Sequence, residues 1–268
     1  MEKHFKIEPH WSRSKEEIWK EHFEEMVLQK EPKSVKTGRL MKFTFYYAAV
    51  AAIVLILLIP FVYIRTIETS RGEHRNFILP DGSSATLNAE SEISYKPLYW
   101  NISRTIKMEG EVYFEVEKGK KFEVKSKNGT VKVLGTKFNV LSRGDSYFVS
   151  CITGKVEVIS GGRVVLDKDS RVTKSKDGTL FLEKRDDVVK IISWRDNMFY
   201  FSSAPLSDVL EEISRQYNVK IEYSNLSDYL YSGNFSKESD VSVVLEIVAL
   251  PFGIKLERSK DVYKLSKP

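Results

Sequence analysis

The chain has 268 residues, 42% of them hydrophobic, and a formal net charge of +5. That length allows two modest domains with further segments. Residues 1–42 hold ten basic and eight acidic residues, and residues 65–268 hold thirty-two and twenty-nine. Neither part is basic enough for nucleic-acid binding to be its main work, so no direct nucleic-acid contact is expected.

The first segment contains WSRSKEEIWKEHFEEMVLQK. Ser14 followed by Glu17 reads as a capping box, and Glu16 and Glu17 suit a first helical turn. Trp19, Phe23, Met26 and Val27 then recur at helical spacing, with Ile18 beside them. The reading is an amphipathic helix of about four turns, marginal by itself in water. With Trp11 and Trp19 on so short a tail, a covering partner is expected. The polar face is acidic, whereas helices that lie on membranes carry Lys and Arg there. A helix seated in a groove of a protein with a basic surface fits best. Self-association and lying on the membrane are the alternatives.

Residues 43–64, FTFYYAAVAAIVLILLIPFVYI, contain no charge. A helix of that length is about 33 Å long, enough for a hydrocarbon core of about 30 Å. Tyr46, Tyr47 and Tyr63 sit near its ends, where amphipathic rings favour the interface. Pro60 falls in the last turns, where a kink does least harm. The span is expected to be an uncleaved single-pass anchor. Five cations precede it closely (Lys30, Lys33, Lys36, Arg39 and Lys42), and three follow (Arg65, Arg71 and Arg75). That bias keeps the N-terminus in the cytoplasm and sends residues 65–268 across, into a periplasm if the cell is a Gram-negative bacterium.

From residue 73 to about 174, short β-branched and aromatic runs recur every eight to twelve positions. Turn signals such as Asp81-Gly82, Asn128-Gly129 and Gly161-Gly162 separate them. The spacing predicts an all-β sandwich or short β-roll. In LPDGSSATLNAESEISY (79–95), the residues from Pro80 to Ser83 read as a tight turn. Ala85, Leu87, Ile93 and Tyr95 read as inward strand positions, with the polar residues between them facing water. Cys151, the only cysteine, is expected to be a small buried hydrophobe. KSKDGTLFLEKRDD then reads as a charged linker.

Residues 195–268 read as two β-α-β units in tandem, a small α+β domain with a weak internal repeat. Leu206, Val209, Leu210, Ile213 and Tyr217 share one face of a helix opened by Pro205. Asp240 caps a second helix that carries Val241, Val244, Leu245 and Val248 and stops at Pro251. The divisions are therefore 1–42, 43–64, 65–186 and 187–268.

Catalytic patterns are missing. Residues 65–268 hold one histidine, His74, and one cysteine, so a triad or a His/Cys metal site lacks parts. No phosphate loop, dinucleotide fingerprint or zinc-protease motif occurs. Acidic pairs such as Glu90 with Glu92, or Glu109 with Glu111, read as solvated strand faces. No cofactor, metal or enzymatic activity is expected.

In order, LPDGSSATLNAESEISY, MEGEVYFEV (108–116), FEVKS (122–126), VKVLGTKFNV (131–140) and GKVEV (154–158) resemble the FecR-type transmembrane anti-sigma regulators of cell-surface signalling. FYFSSAPLSDVLEEISRQYNVKIEY followed by YSGNFS is similar to the companion domain of the Bacteroidetes branch, a fold like the short N-terminal domain of secretins and TonB receptors. The resemblance implies a relay. An outer-membrane TonB-dependent transducer would contact residues within 187–268, and the message would cross the inner membrane through the single span. The tail would then control an extracytoplasmic-function sigma factor. Helical periodicity, not the resemblance, assigns the sigma contact to Trp11, Ile18, Trp19, Phe23 and Met26. The resemblance also implies a self-cleavage between Gly135 and Thr136, by attack of the threonine hydroxyl on the glycine carbonyl. The alternative function is a membrane-anchored periplasmic ligand-binding or scaffold protein.

Overall fold

The structure, a computed structural model, describes residues 12–28, 37–185, 187–224, 226, 228–237, 240–260 and 262–266. The chain forms two compact units, Met1–Leu55 and Ile56–Pro268. The first contains helix α1 (Lys15–Leu28) and most of helix α2 (Thr37–Val62). Within α2, Phe45–Val62 is long and apolar enough to cross a membrane, and none of it is buried in the protein.

Among the described residues eighteen strands follow. They are β1 (Arg65–Thr69), β2 (Arg75–Ile78), β3 (Ser84–Leu87), β4 (Ser91–Tyr95), β5 (Arg104–Glu115), β6 (Phe122–Lys125), β7 (Thr130–Val133), β8 (Lys137–Arg143) and β9 (Ser146–Thr153). After these come β10 (Val156–Ser160), β11 (Gly162–Leu166), β12 (Ser170–Lys174), β13 (Leu180–Lys184), β14 (Met198–Pro205), β15 (Lys220–Tyr223), β16 (Leu230–Ser236), β17 (Lys255–Ser259) and β18 (Val262–Ser266). Helix α3 (Leu206–Tyr217) follows β14, and helix α4 (Val241–Ala249) follows β16.

Strand β5 organises the β region. Its first half pairs with β4 and, in parallel, with β6. Its second half pairs with β3 and β8. Two sheets therefore share this strand, in the orders β11-β10-β7-β6-β5-β4-β1 and β2-β3-β5-β8-β9-β12-β13. They enclose one core in which Ile93, Phe114, Phe122, Phe138 and Val158 are fully buried. The strand changes sheets at Gly110, whose φ is +93°. A Cβ there would lie 2.7 Å from the Cα of Ser91, so only glycine lets the two backbones meet.

That switch breaks the expected alternation. Glu109 stays exposed, but Glu111, two residues on, is buried. The polar residues of 79–95 do not all face water either: Ser83, Asn88 and Ser91 are buried. Ser83 and Asp81 hold the buried Arg104, whose Nε donates to Asp81 at 2.6 Å. Its Nη atoms donate to Ser83 Oγ and to the carbonyls of Glu117 and Lys120. Cys151 is fully buried, and burial, with Asp167 and Asp169 nearby, pushes its thiol up to about 12.

The segment expected to be a charged linker is partly a strand. Residues Leu180–Lys184 pair antiparallel with β12 after a turn at Gly178. This is an edge strand exposed along most of its length, so Glu183 and Lys184 are tolerated on either face. A 3-10 helix, Val188–Asp196, comes next. Its Val188, Ile192 and Trp194 pack with Tyr113 and Ile152 of the β region.

The two helix-containing units do not close separate β-α-β sheets. The strands before the helices, β14 and β16, pair antiparallel with each other. The strands after them gather in a second sheet, with β15 parallel to β18 and β18 antiparallel to β17. Both helices cover one shared core, so neither unit buries its apolar face by itself. Asp240 caps α4 by accepting from the backbone N–H of Ser242 at 2.8 Å.

Candidate functional site

Three places carry the sequence-predicted or newly visible functional residues. The first is α1. The backbone N–H of Glu17 donates to Ser14 Oγ, and the backbone N–H of Ser14 donates to Glu17 Oε2, both at 3.3 Å. This reciprocal cap satisfies donors that a helix start otherwise leaves open. Ile18, Trp19, Phe23 and Met26 are all exposed, Trp19 by 65%. The Trp19 and Phe23 ring centroids lie 6.2 Å apart. Full burial of side chains of this size is worth about 1.5–3 kcal/mol each. Trp11 lies outside the described residues.

The second place is the Gly135-Thr136 turn between β7 and β8. Gly135 has φ +153°, and a Cβ on it would lie 2.8 Å from the Cα of Lys118. The N–H of Gly119 donates to the Leu134 carbonyl at 2.9 Å, and that of Val116 to the Thr136 carbonyl at 3.0 Å. Thr136 is buried, and its hydroxyl donates to the Lys155 carbonyl at 3.1 Å. The dipeptide is thus clamped between residues 116–119 and 154–155, in a backbone conformation that favours glycine.

The third place is the junction of α3 with the β region. Asn88, fully buried, sits at its centre. Its amide nitrogen donates to Glu111 at 2.7 Å and to Glu212 at 3.3 Å. Its carbonyl oxygen accepts from Gln216 Nε2 at 2.6 Å and from the backbone N–H of Ala89 at 2.7 Å. Asn139 donates to the other oxygen of Glu111 at 2.8 Å. Gln216 Nε2 also donates to Glu212 at 2.8 Å. With that nitrogen donating twice, Gln216 Oε1 accepts from His74 Nε2 at 2.8 Å.

The two buried carboxyls are pushed apart. Burial first, and then the Glu212 charge, raise Glu111. Burial acts to raise Glu212 too, but Arg215, Gln216 and Arg143 together hold it below the usual carboxylate range. The two carboxyls are thus shifted in opposite directions, Glu111 up and Glu212 down. His74 lies edge-on to Trp194 and is lowered, chiefly by burial. These residues escape a reading by periodicity because they are polar atoms in inward positions. The one available signal was the i, i+4 spacing of Glu212 and Gln216, on the flank of the apolar face of α3. Among the described residues, no group of three or more His, Cys, Asp or Glu is placed to hold a metal ion.

Comparison with known proteins places this geometry in context. Residues 65–157 match the family model "FecR protein", and residues 198–264 match "FecR, C-terminal"; together they span more than half of the chain. A crystal structure at 2.50 Å of a proposed anti-sigma factor from Parabacteroides distasonis is similar, with a TM-score of 0.72 and 29% identity. The match covers 77% of this chain and 100% of that one. A second, at 1.65 Å, has a TM-score of 0.72 and 28% identity, covering 76% and 99%. No curated protein sequence matches the chain.

Proposed function

Because the chain belongs to the FecR family, we propose that it is a one-span anti-sigma regulator. Its tail binds an extracytoplasmic-function sigma factor in the cytoplasm, and α2 crosses the inner membrane. Its two matched domains stand in the periplasm and take their signal from an outer-membrane TonB-dependent transducer. The observation that carries this reading is the reciprocally capped helix α1, with Ile18, Trp19, Phe23 and Met26 uncovered along one side. An apolar face of this kind on an acidic helix suits the groove of a basic partner. A two-hybrid assay of residues 1–42 against each extracytoplasmic-function sigma factor of the source cell tests it. The wild-type tail should interact, and Trp19→Ala should weaken the interaction at least tenfold. A wild-type tail that gives no signal would remove the anti-sigma reading.

We further propose that the Gly135–Thr136 bond is a self-processing point. The Thr136 hydroxyl oxygen attacks the Gly135 carbonyl carbon and the C–N bond breaks. The proton passes to the threonine nitrogen, and water then opens the resulting ester. The clamp and the glycine-only backbone favour this reading. Purified wild-type protein should yield two fragments on a denaturing gel, with Thr136→Ala staying whole. One intact band from both proteins would end the idea.

A further inference from the structure

The connection between β4 and β5, residues 96–103, reads KPLYWNIS. It opens with a 3-10 helix, Pro97–Tyr99. The N–H groups of Ile102 and Ser103 then both donate to the Tyr99 carbonyl, at 3.0 and 3.1 Å, and close the turn. Trp100 fixes it from inside. Its indole is buried, edge-on to Tyr95 and Phe122 at centroid distances of 5.3 and 5.8 Å. That inward anchor leaves Leu98 and Ile102 outside, 57% and 69% exposed. Single exposed aliphatic side chains are ordinary on a protein surface. These two stand out through what lies beside them.

The neighbour is the end of α2, whose residues Ile56–Val62 belong to the same compact unit as the β region. The Tyr99 ring packs against Phe61, with centroids 5.0 Å apart. The Lys96 ammonium donates to the Phe61 carbonyl, one of the last carbonyls of α2, which the helix itself leaves without a partner. Phe61 is the last residue but one of the apolar stretch Phe45–Val62. Phe61, Val62, Tyr63 and Ile64 are all exposed, so Leu98 and Ile102 continue an apolar surface that begins on the helix. When α2 spans a bilayer, Phe61 stands at the edge of the hydrocarbon, and the turn tied to it lies at the same depth. Tyr99 suits that level, where amphipathic rings collect. The charges around the turn suit it too. Lys96 and the exposed Arg65 flank it. The adjoining loop, which Arg104 holds through the Glu117 and Lys120 carbonyls, adds Lys118, Lys120 and Lys121. The acids there are Glu117, Asp81, which Arg104 engages, and Glu123, 3.9 Å from Lys121. The cations outnumber them, as a surface facing lipid phosphates requires.

We propose that this turn is a second membrane contact: Leu98 and Ile102 sit among the acyl chains beside the point where α2 leaves the bilayer, with Lys96 and Arg65 at the level of the phosphates. A protein partner could cover two aliphatic side chains as well, but lipid is the one occupant bound to be present at the depth of Phe61. Insertion of this kind needs only a small apolar area backed by cations. The proposal rests on the reading that α2 spans the membrane, and it goes further. The β region lies against the lipid instead of hanging freely from its anchor.

The test uses the full chain with one added cysteine: Leu98→Cys, Ile102→Cys, Ile53→Cys within α2, or Lys127→Cys. All four positions are exposed, so the fold tolerates the change, and Cys151 is fully buried, so a spin label goes to the added thiol. Lys127 is the aqueous reference. It follows the end of β6 remote from Phe122, the residue that pairs with Arg104 at the head of β5. Labelled chains are placed singly in nanodiscs of phosphatidylcholine and phosphatidylglycerol. Collisions of the label with oxygen, which concentrates in hydrocarbon, are compared with collisions with a water-soluble nickel chelate. The oxygen-to-nickel ratio for Leu98→Cys and Ile102→Cys should exceed that of Lys127→Cys by about threefold or more, towards the value of Ile53→Cys. Ratios equal to that of Lys127→Cys, with Ile53→Cys in lipid, would overturn this proposal and leave the spanning reading standing. An aqueous ratio for Ile53→Cys would remove the spanning reading and this proposal with it. Labels at the turn shielded from both reagents would assign it to a protein contact, which also overturns the proposal.

Discussion

His74 enters the fold as a neutral ring. Burial lowers its pKa from the usual 6.5, and the hydrogen bond to Gln216 only partly offsets this. The folded state therefore binds fewer protons than the unfolded chain as pH falls through 6.5. The contribution of His74 is complete above that value and is lost below it. Glu111 works the other way, since its raised pKa favours the folded state at lower pH. The difference between wild type and His74→Asn isolates the histidine. Melting temperatures from pH 7.5 to 5.5 should show wild type losing stability relative to the variant. A constant difference would mean that His74 does not titrate differently in the fold. Asp187, held at about 2 chiefly by Arg185, adds a separate loss only below about pH 4. None of this was legible in the residues. Asn88 sits in a run whose alternation assigned it to water, and His74 drew attention only as the one histidine a triad would need. Their partners on α3, Glu212 and Gln216, lie 124 and more residues away, and local pattern carries no such information.

Among the elements, those with a strong period and a local stop were readable. The box at Ser14 and Glu17, the Asp240 cap and the apolar face of α3 are all set by neighbours within four residues. On α3 even the exception is informative: Gln216 is buried and Tyr217 only half-buried, so the last inward position belongs to a polar side chain that reaches the β region. Strand β13 and the 3-10 helix before β14 were not readable. Their apolar residues stand in short consecutive runs (LFL, VV and II) without clean alternation, and tertiary packing decides them. The β5 switch was missed for a different reason. Gly110 looks like any strand glycine until Ser91 is placed against it. Gly110→Ala should therefore cost about 2–5 kcal/mol, combining a disallowed backbone with overpacking. Gly144, also at positive φ (+53°) but with nothing within 4 Å, should cost about 1–2 kcal/mol as alanine. Urea unfolding of the two variants measures the contrast, and equal losses would refute the close-approach argument.

For the whole molecule, the division into tail, apolar helix and β-rich region is the part that composition dictates, because charge-free runs and turn spacing are visible without any partner. The pairing of β14 with β16 is not, since a strand chooses its neighbour through the shared core, not through its own period. The ladder between β5 and β8 has a mechanical consequence. Those strands face each other over six consecutive residue pairs, Gly110↔Ser142 to Glu115↔Lys137. They lie on opposite sides of the Gly135–Thr136 bond, as do β7 and β10, which also pair. A break at that bond would leave two pieces interlocked as one folded body. In the folded state a pull on one piece would be needed to part them, which would make the β region a force-releasable clasp, silent until it is tugged.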